Sequence, residues 1–343
     1  MVEVGGFPLG TGHAFQGLAF VFVDILQSIM RVAAFTPLPA VWPHELVTIA
    51  RSIRVIERPS FDEQTWSFWN LRRTEETEGL ERRHWFCVDE ECEWHERGVV
   101  GDRLTLLLRN AMLGYQLWVP KGWDGIIICA DCETMRVENV TLAESYVISK
   151  WGNMMTPEKG DPAALAVLVE GTVAALESGF IPVVNPFQFL EIGLQTAFNH
   201  VLGGTLFLTF GLDGLMGGAG GEDVFSKRLA RFLGGDTFIF PEDYVGRRPT
   251  YTVGEMSEKI FGLRNQLAHG QQVLEKFRKP ITFTFDPAEL SYLSVENWNG
   301  TRLIFESALF ILIAGLRKVI MTPGLLERLK DYRTWTRWLD SPA

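Results

Sequence analysis

Arg264, Asn265 and His269 bring a fixed cation, a neutral amide and a group that titrates near neutrality into one short stretch of chain. An arginine fork can hold a phosphate and stabilise the charge that builds on it in a pentacovalent transition state. A histidine close to its unperturbed pKa exchanges a proton at neutral pH. Its target would be the 2′-hydroxyl of a ribose or the departing 5′-oxygen. The asparagine can orient phosphate or sugar by hydrogen bonds. The chemistry that this set suits is RNA cleavage without a metal ion.

The element that must carry these residues is an amphipathic helix. Thr252 and Glu255 have the spacing of a capping box, with a hydroxyl at the N-cap and a carboxylate three residues on. Met256, Ile260, Leu263 and Leu267 then fall at helical spacing and predict one buried stripe. Gly270 supplies a left-handed stop. The helix is expected over about 253–268, with His269 at its end. On a continuous helix Arg264 and His269 would stand about 140° apart. Either the helix unwinds near Ala268, or a second copy of the chain supplies the missing group. The negative end of the helix should favour protonated His269, which suits a general acid. The competing reading is structural: Arg264 pairs with a carboxylate and His269 caps the helix.

The run Arg264-Asn265-Gln266-Leu267-Ala268-His269 resembles the Arg-Asn-x3-His signature of the HEPN superfamily, in particular its Apea-like branch. Upstream, Phe225-Ser226-Lys227-Arg228-Leu229-Ala230-Arg231-Phe232-Leu233-Gly234 resembles the helix that precedes the motif in that branch. Downstream, the long apolar helix expected at 301–320 is also similar. The resemblance covers about 160–340, roughly half the chain. It implies an all-α helical bundle and a homodimer with two motifs facing across a cleft. It further implies metal-independent endoribonuclease activity, in defence against phage or as a toxin. Carried over by position, the catalytic residues are Arg264 and His269, with Asn265 as polar helper. Arg228, Arg231 and Lys259 are the expected RNA contacts. No cofactor is implied for catalysis. Some members of this family bind RNA or a partner without cutting, so a non-catalytic dimerisation or ligand-binding module is the alternative.

A second constellation lies upstream. Cys87-x4-Cys92 and Cys129-x2-Cys132 are the four cysteines of the chain. Two such pairs in a β-rich region can form knuckles that hold a structural zinc ion through four thiolates. Val88-Asp89-Glu90-Glu91 then reads as a hairpin turn, and His84 and His95 are near enough in sequence to substitute as ligands. The alternative is four buried, unpaired thiols.

The wider chain reads as α+β: a mostly β N-terminal domain followed by an all-α helical bundle. The expected divisions are 1–44 (a helix and a Pro-rich linker), 45–155 (mostly β) and 156–343 (helical). Phe15, Leu18, Val21, Phe22, Ile25, Ile29 and Val32 predict a helix over 14–35. Leu104–Leu108, Tyr115–Val119 and Gly125–Cys129 read as strands between turn residues. Helices are expected at 162–177, 187–202, 224–233, 301–320 and 323–339. The glycine-dense segment 211–221 lacks the Lys-Ser/Thr of a P-loop and reads as a flexible loop. Trp66–Trp69 is a further recognition candidate, should the chain be a binding module.

A formal net charge of −10 argues against a protein wrapped generally around nucleic acid. The charge is uneven, however. Residues 1–219 hold 15 Lys+Arg against 27 Asp+Glu, whereas residues 220–343 hold 17 against 15. The half with the Arg–His motif is therefore compatible with RNA as a partner. No basic leader is visible at the N-terminus, and the apolar run Ala308–Leu316 is shorter than the roughly 20 residues of a membrane span. A cytoplasmic protein without membrane attachment is expected.

Overall fold

The computed structural model describes residues 29–38, 48–50, 53–56, 59–61, 84–118, 125–143, 162–240, 251–268 and 296–341. Its N-terminal part is an antiparallel sheet and the remainder is mostly helical, an α+β arrangement. The strands are β1 (Ile29–Pro37), β2 (Thr48–Ala50), β3 (Ile53–Ile56), β4 (Trp85–Glu93), β5 (Gly125–Asp131) and β6 (Val137–Ala143), in the order β2-β3-β4-β1-β5-β6.

β1 lies in the interior of the sheet. It pairs with β4 from Ile29 opposite Glu93 to Pro37 opposite Trp85, and with β5 from Val32 opposite Asp131 to Phe35 opposite Ile128. Residues 29–35 are therefore strand and not the end of a helix; residues 14–28 lie outside the described residues. The difference from the helical expectation has a physical source. Val32, Ala33, Ala34 and Phe35 are all buried, because both faces of the sheet are covered. Such a strand shows no alternation and is easily mistaken for a buried helix.

One face of the sheet, through Val32, Ala34, Phe86, Val88, Ile127 and Cys129, joins the main core. Helix α1 (Arg97–Trp118) packs on this side. It contains Leu104–Leu108 and Tyr115–Trp118, both of which sequence pattern read as strands; Gly125–Cys129 is strand as expected. α1 is buried along two flanks, against the sheet and against α2 (Pro162–Glu177). At Gly114 a Cβ would lie 2.7 Å from the Cα of Val169, so the two backbones touch there. The expected hairpin turn at Val88–Glu91 is instead the middle of β4.

The helical part continues with α3 (Ile181–Asn199), α4 (Val201–Leu215), α5 (Glu222–Leu233), α6 (Val253–Ala268), α7 (Glu296–Met321), α8 (Leu325–Lys330) and α9 (Tyr332–Asp340). His200 breaks what sequence spacing treated as one helix over 187–202. Its extended backbone ends α3, and its Nδ1 accepts the Gly203 N–H at 2.9 Å to start α4. α3 and α4 approach closely through Gly193 and Gly204, where a Cβ on Gly204 would meet the Gly193 carbonyl oxygen at 2.7 Å. α4 packs on α7, with Leu312 beside Gly211 and Leu215 beside Gly315. The core runs from the sheet through α1 and α2 into this bundle. Among the described residues no single helix is long and apolar enough to cross a membrane.

Candidate active site

Helix α6 forms where its local signals place it. The Thr252 N–H donates to Glu255 Oε2 at 2.8 Å, and the Glu255 N–H donates to Thr252 Oγ1 at 3.3 Å. This reciprocal pair satisfies two N–H groups that the first turn leaves without partners. Met256, Ile260 and Leu263 are buried, as the stripe requires. The side chain of Leu267, together with His269 and Gly270, lies outside the described residues.

Arg264 follows the buried Leu263 and sits at the rim of the core, its side chain 26% exposed. Its Nη1 donates to Asn265 Oδ1 at 3.0 Å, and its Nη2 to Asp213 Oδ2 at 3.3 Å. Nε is buried with no acceptor among the described residues. The guanidinium carbon lies 5.3 Å from the Phe261 ring centre and 6.0 Å from that of Phe210, distances at which a ring attracts a cation. Arg264 and Asn265 are thus hydrogen-bonded to each other.

Asp213, which sequence reasoning missed, is the acceptor that ties α6 to α4. Burial pushes its carboxyl up, against the opposing pull of Arg264, the Ala219 N–H and Arg228. One signal was available: Asp213 is the one charged residue in the apolar helix 201–215. A lone carboxylate in such a helix needs a partner.

The glycine segment after α4 is an ordered turn rather than a loose loop. Gly211 and Gly214 belong to α4 itself. Gly217 and Gly218 adopt φ of +73° and +60°, values that favour glycine. This lets the Gly218 N–H reach the Asp213 carbonyl at 2.8 Å and the Ala219 N–H reach Asp213 Oδ1 at 2.9 Å.

Arg228 and Arg231 on α5 have partners within the fold. Arg228 grips Asp340 with Nε and Nη2 at 2.8 and 2.7 Å, and its Nη1 donates to the Met216 carbonyl at 2.8 Å. Arg231 Nη1 donates to the Leu339 carbonyl at 3.1 Å. Both arginines join α9 to α5, and Arg228 also caps the end of α4. Lys259 is half-buried on α6, upstream of Arg264.

The cysteines divide across the sheet. Cys92 and Cys129 lie on the face that carries α1, with Cys129 Sγ against Gly101. Cys87 and Cys132 belong to the opposite face, beside Phe35 and Trp85. Strand alternation enforces this, since Cys87 and Cys92 differ by an odd number of positions on β4. The four thiols therefore do not converge on one metal ion. Among the described residues no group of three or more His, Cys, Asp or Glu is placed to hold one. Burial raises all four thiols, Cys87 and Cys132 to about 11 and Cys129 to about 12. Since the thiolate is the reactive form, the native protein should react sluggishly with a thiol reagent at neutral pH and release four equivalents on unfolding. A chelator should leave its melting temperature unchanged. Tightly held stoichiometric zinc, with a chelator-induced fall in that temperature, would contradict the division.

The chain matches no known family model, no curated protein and no solved structure.

Proposed function

We propose that the chain is a metal-independent endoribonuclease of HEPN type, acting as a homodimer in antiviral defence or as a toxin. The observation that supports this most is the state of Arg264. Of its five N–H groups, Asn265 and Asp213 take one each, and Nε–H is buried. Among the described residues, one N–H on each terminal nitrogen has no acceptor, and these two would meet a phosphate. The fork sits near the end of α6, five positions before His269.

In this reading the ribose 2′-oxygen attacks the adjacent phosphorus. The bond from phosphorus to the 2′-oxygen forms while the bond to the 5′-oxygen breaks. The 2′-hydroxyl gives up its proton to a base, and His269, protonated, delivers one to the departing 5′-oxygen. Arg264 stabilises the charge that gathers on the phosphate oxygens. A second subunit facing the first across the motif would supply the other proton-transfer group.

The test is total RNA incubated in EDTA with the wild type and with His269→Ala. Cleavage by the wild type and none by the variant is expected. Cleavage that needed added magnesium, or that survived in the variant, would overturn the proposal.

The ion pair with Asp213 favours a second reading, a non-catalytic dimerisation or RNA- or ligand-binding module in which Arg264 is structural. It predicts a stable dimer and no cleavage of any RNA offered.

A further inference from the structure

We propose that Asp213 is the positioning residue of this site: it holds the Arg264 fork in one orientation without covering the edge that meets the phosphate. The inference rests on the ribonuclease reading of Arg264 and adds a residue that the motif does not contain.

Two acid–arginine pairs in the same protein show what is distinctive here. Arg228 and Asp340 form a two-pronged pair in which both carboxylate oxygens face the guanidinium, at 2.7 and 2.8 Å. Such a pair occupies a whole edge of the fork. Asp213 does not bind Arg264 in this way: its Oδ1 accepts the Ala219 N–H instead. Only Oδ2 meets the guanidinium, through Nη2 alone at 3.3 Å. The contact orients the guanidinium and, among the described residues, leaves donors open.

Asp213 is in turn fixed from several sides. Its carbonyl accepts the Gly218 N–H, and the left-handed Gly217 and Gly218 set that turn. The turn is pinned from outside as well. Arg228 donates to the Met216 carbonyl, Tyr332 Oη to the Gly217 carbonyl, and Trp335 Nε1 to the Leu215 carbonyl. A side chain at Gly217 would strike Thr336, since its Cβ would lie 2.5 Å from Cγ2. The end of α4 is thus clamped by α5 and α9, and Asp213 passes that rigidity to α6. Phe210 and Phe261 confine the guanidinium further. A reacting group displaced by about 1 Å can lose about a hundredfold in rate, so a support of this kind has a direct kinetic consequence.

The experiment pairs kinetics with nuclear magnetic resonance on the full chain. Asp213→Asn keeps the shape and the acceptor for Ala219 but removes the charge. It should lower kcat for RNA cleavage at least about tenfold, with KM changed by less than about threefold. Combined with Arg264→Ala it should lose no more than Arg264→Ala alone, because Asp213 acts through Arg264. In protein labelled with nitrogen-15 arginine, the two terminal nitrogens of Arg264 should be distinct in the wild type and merge in Asp213→Asn. The signals are assigned by their absence in Arg264→Lys. A wild-type rate in Asp213→Asn, a further loss in the double variant, or unchanged Arg264 signals would each overturn the proposal. Absence of cleavage by the wild type would instead overturn the ribonuclease reading, and the resonances alone would then decide whether Asp213 holds Arg264.

Discussion

Arg264→Ala is expected to slow RNA cleavage by about a hundred- to a thousandfold, and Arg264→Lys by nearly as much. Removing one preorganised donor from a developing oxyanion costs on this order. Lysine keeps the charge but lacks the planar fork. A single ammonium cannot serve Asn265, Asp213 and a phosphate in the directions that the guanidinium reaches at once. The two variants should differ in stability, however. Lysine can still pair with Asp213, whereas alanine leaves that carboxylate without its ion-pair partner in a site where its side chain is 17% exposed.

Breaking a fully buried pair costs about 3–5 kcal/mol, and this pair, which is partly exposed to water, should cost about 1–2 kcal/mol. The deficit must depend on pH. Burial already raises the Asp213 carboxyl, and loss of Arg264 raises it further. A carboxyl raised in the folded state favours folding while it is protonated, and that contribution is lost as pH rises through its folded pKa. The Arg264→Ala deficit should therefore be present at neutral pH and fade as the pH falls towards the ordinary carboxylate range. Urea unfolding at pH 7 and at about pH 4 measures it. Wild-type cleavage by Arg264→Lys would remove the fork from the mechanism.

What could be read from the residues follows from the range of the interactions involved. The start of α6 and the buried face of its described residues were legible, because the one is written in a capping box and the other in one stripe. α2 and α5 were legible for similar local reasons. β1 and α1 were not. Each is buried on two sides, so the alternation or the stripe that would identify it is filled in with apolar residues. Leu104–Leu108 looks like a strand in isolation, and only the sheet on one flank and α2 on the other make it helical. Arg264 and Asn265 were singled out because they are neighbours in a motif. Asp213 lies 51 positions from Arg264, and nothing in one sequence fixes how α4 crosses α6. The same limit applied to Arg228 and Arg231. Their charge suggested RNA, while their partners Asp340 and Leu339 lie more than a hundred positions away. The cysteine spacing suggested a knuckle, but that spacing does not show which face of a sheet each thiol takes.

Trp335→Ala should cause the largest loss of stability among single changes near the site. Trp335 is 1% exposed, stacks on Trp338 at 5.0 Å between ring centres and meets Phe232 edge-on at 5.6 Å. Truncating a buried tryptophan costs about 3–5 kcal/mol through lost contacts and the cavity left behind. Its Nε1–H also donates to the Leu215 carbonyl at 2.6 Å, one of the acceptors that the end of α4 leaves without a helical partner. In a chain of this size the change corresponds to a fall in melting temperature of roughly 10 °C. Trp335→Phe separates the two contributions. It keeps most of the ring contacts and loses the donor, so its cost should be about 1–3 kcal/mol, the penalty of one orphaned buried carbonyl. Because Leu215 lies two positions from Asp213, the phenylalanine variant should also slow RNA cleavage at temperatures where it remains folded. A melting temperature within about 2 °C of the wild type for Trp335→Ala would show that α9 does not clamp the end of α4, and the support drawn for Asp213 and Arg264 would have to come from α5 alone.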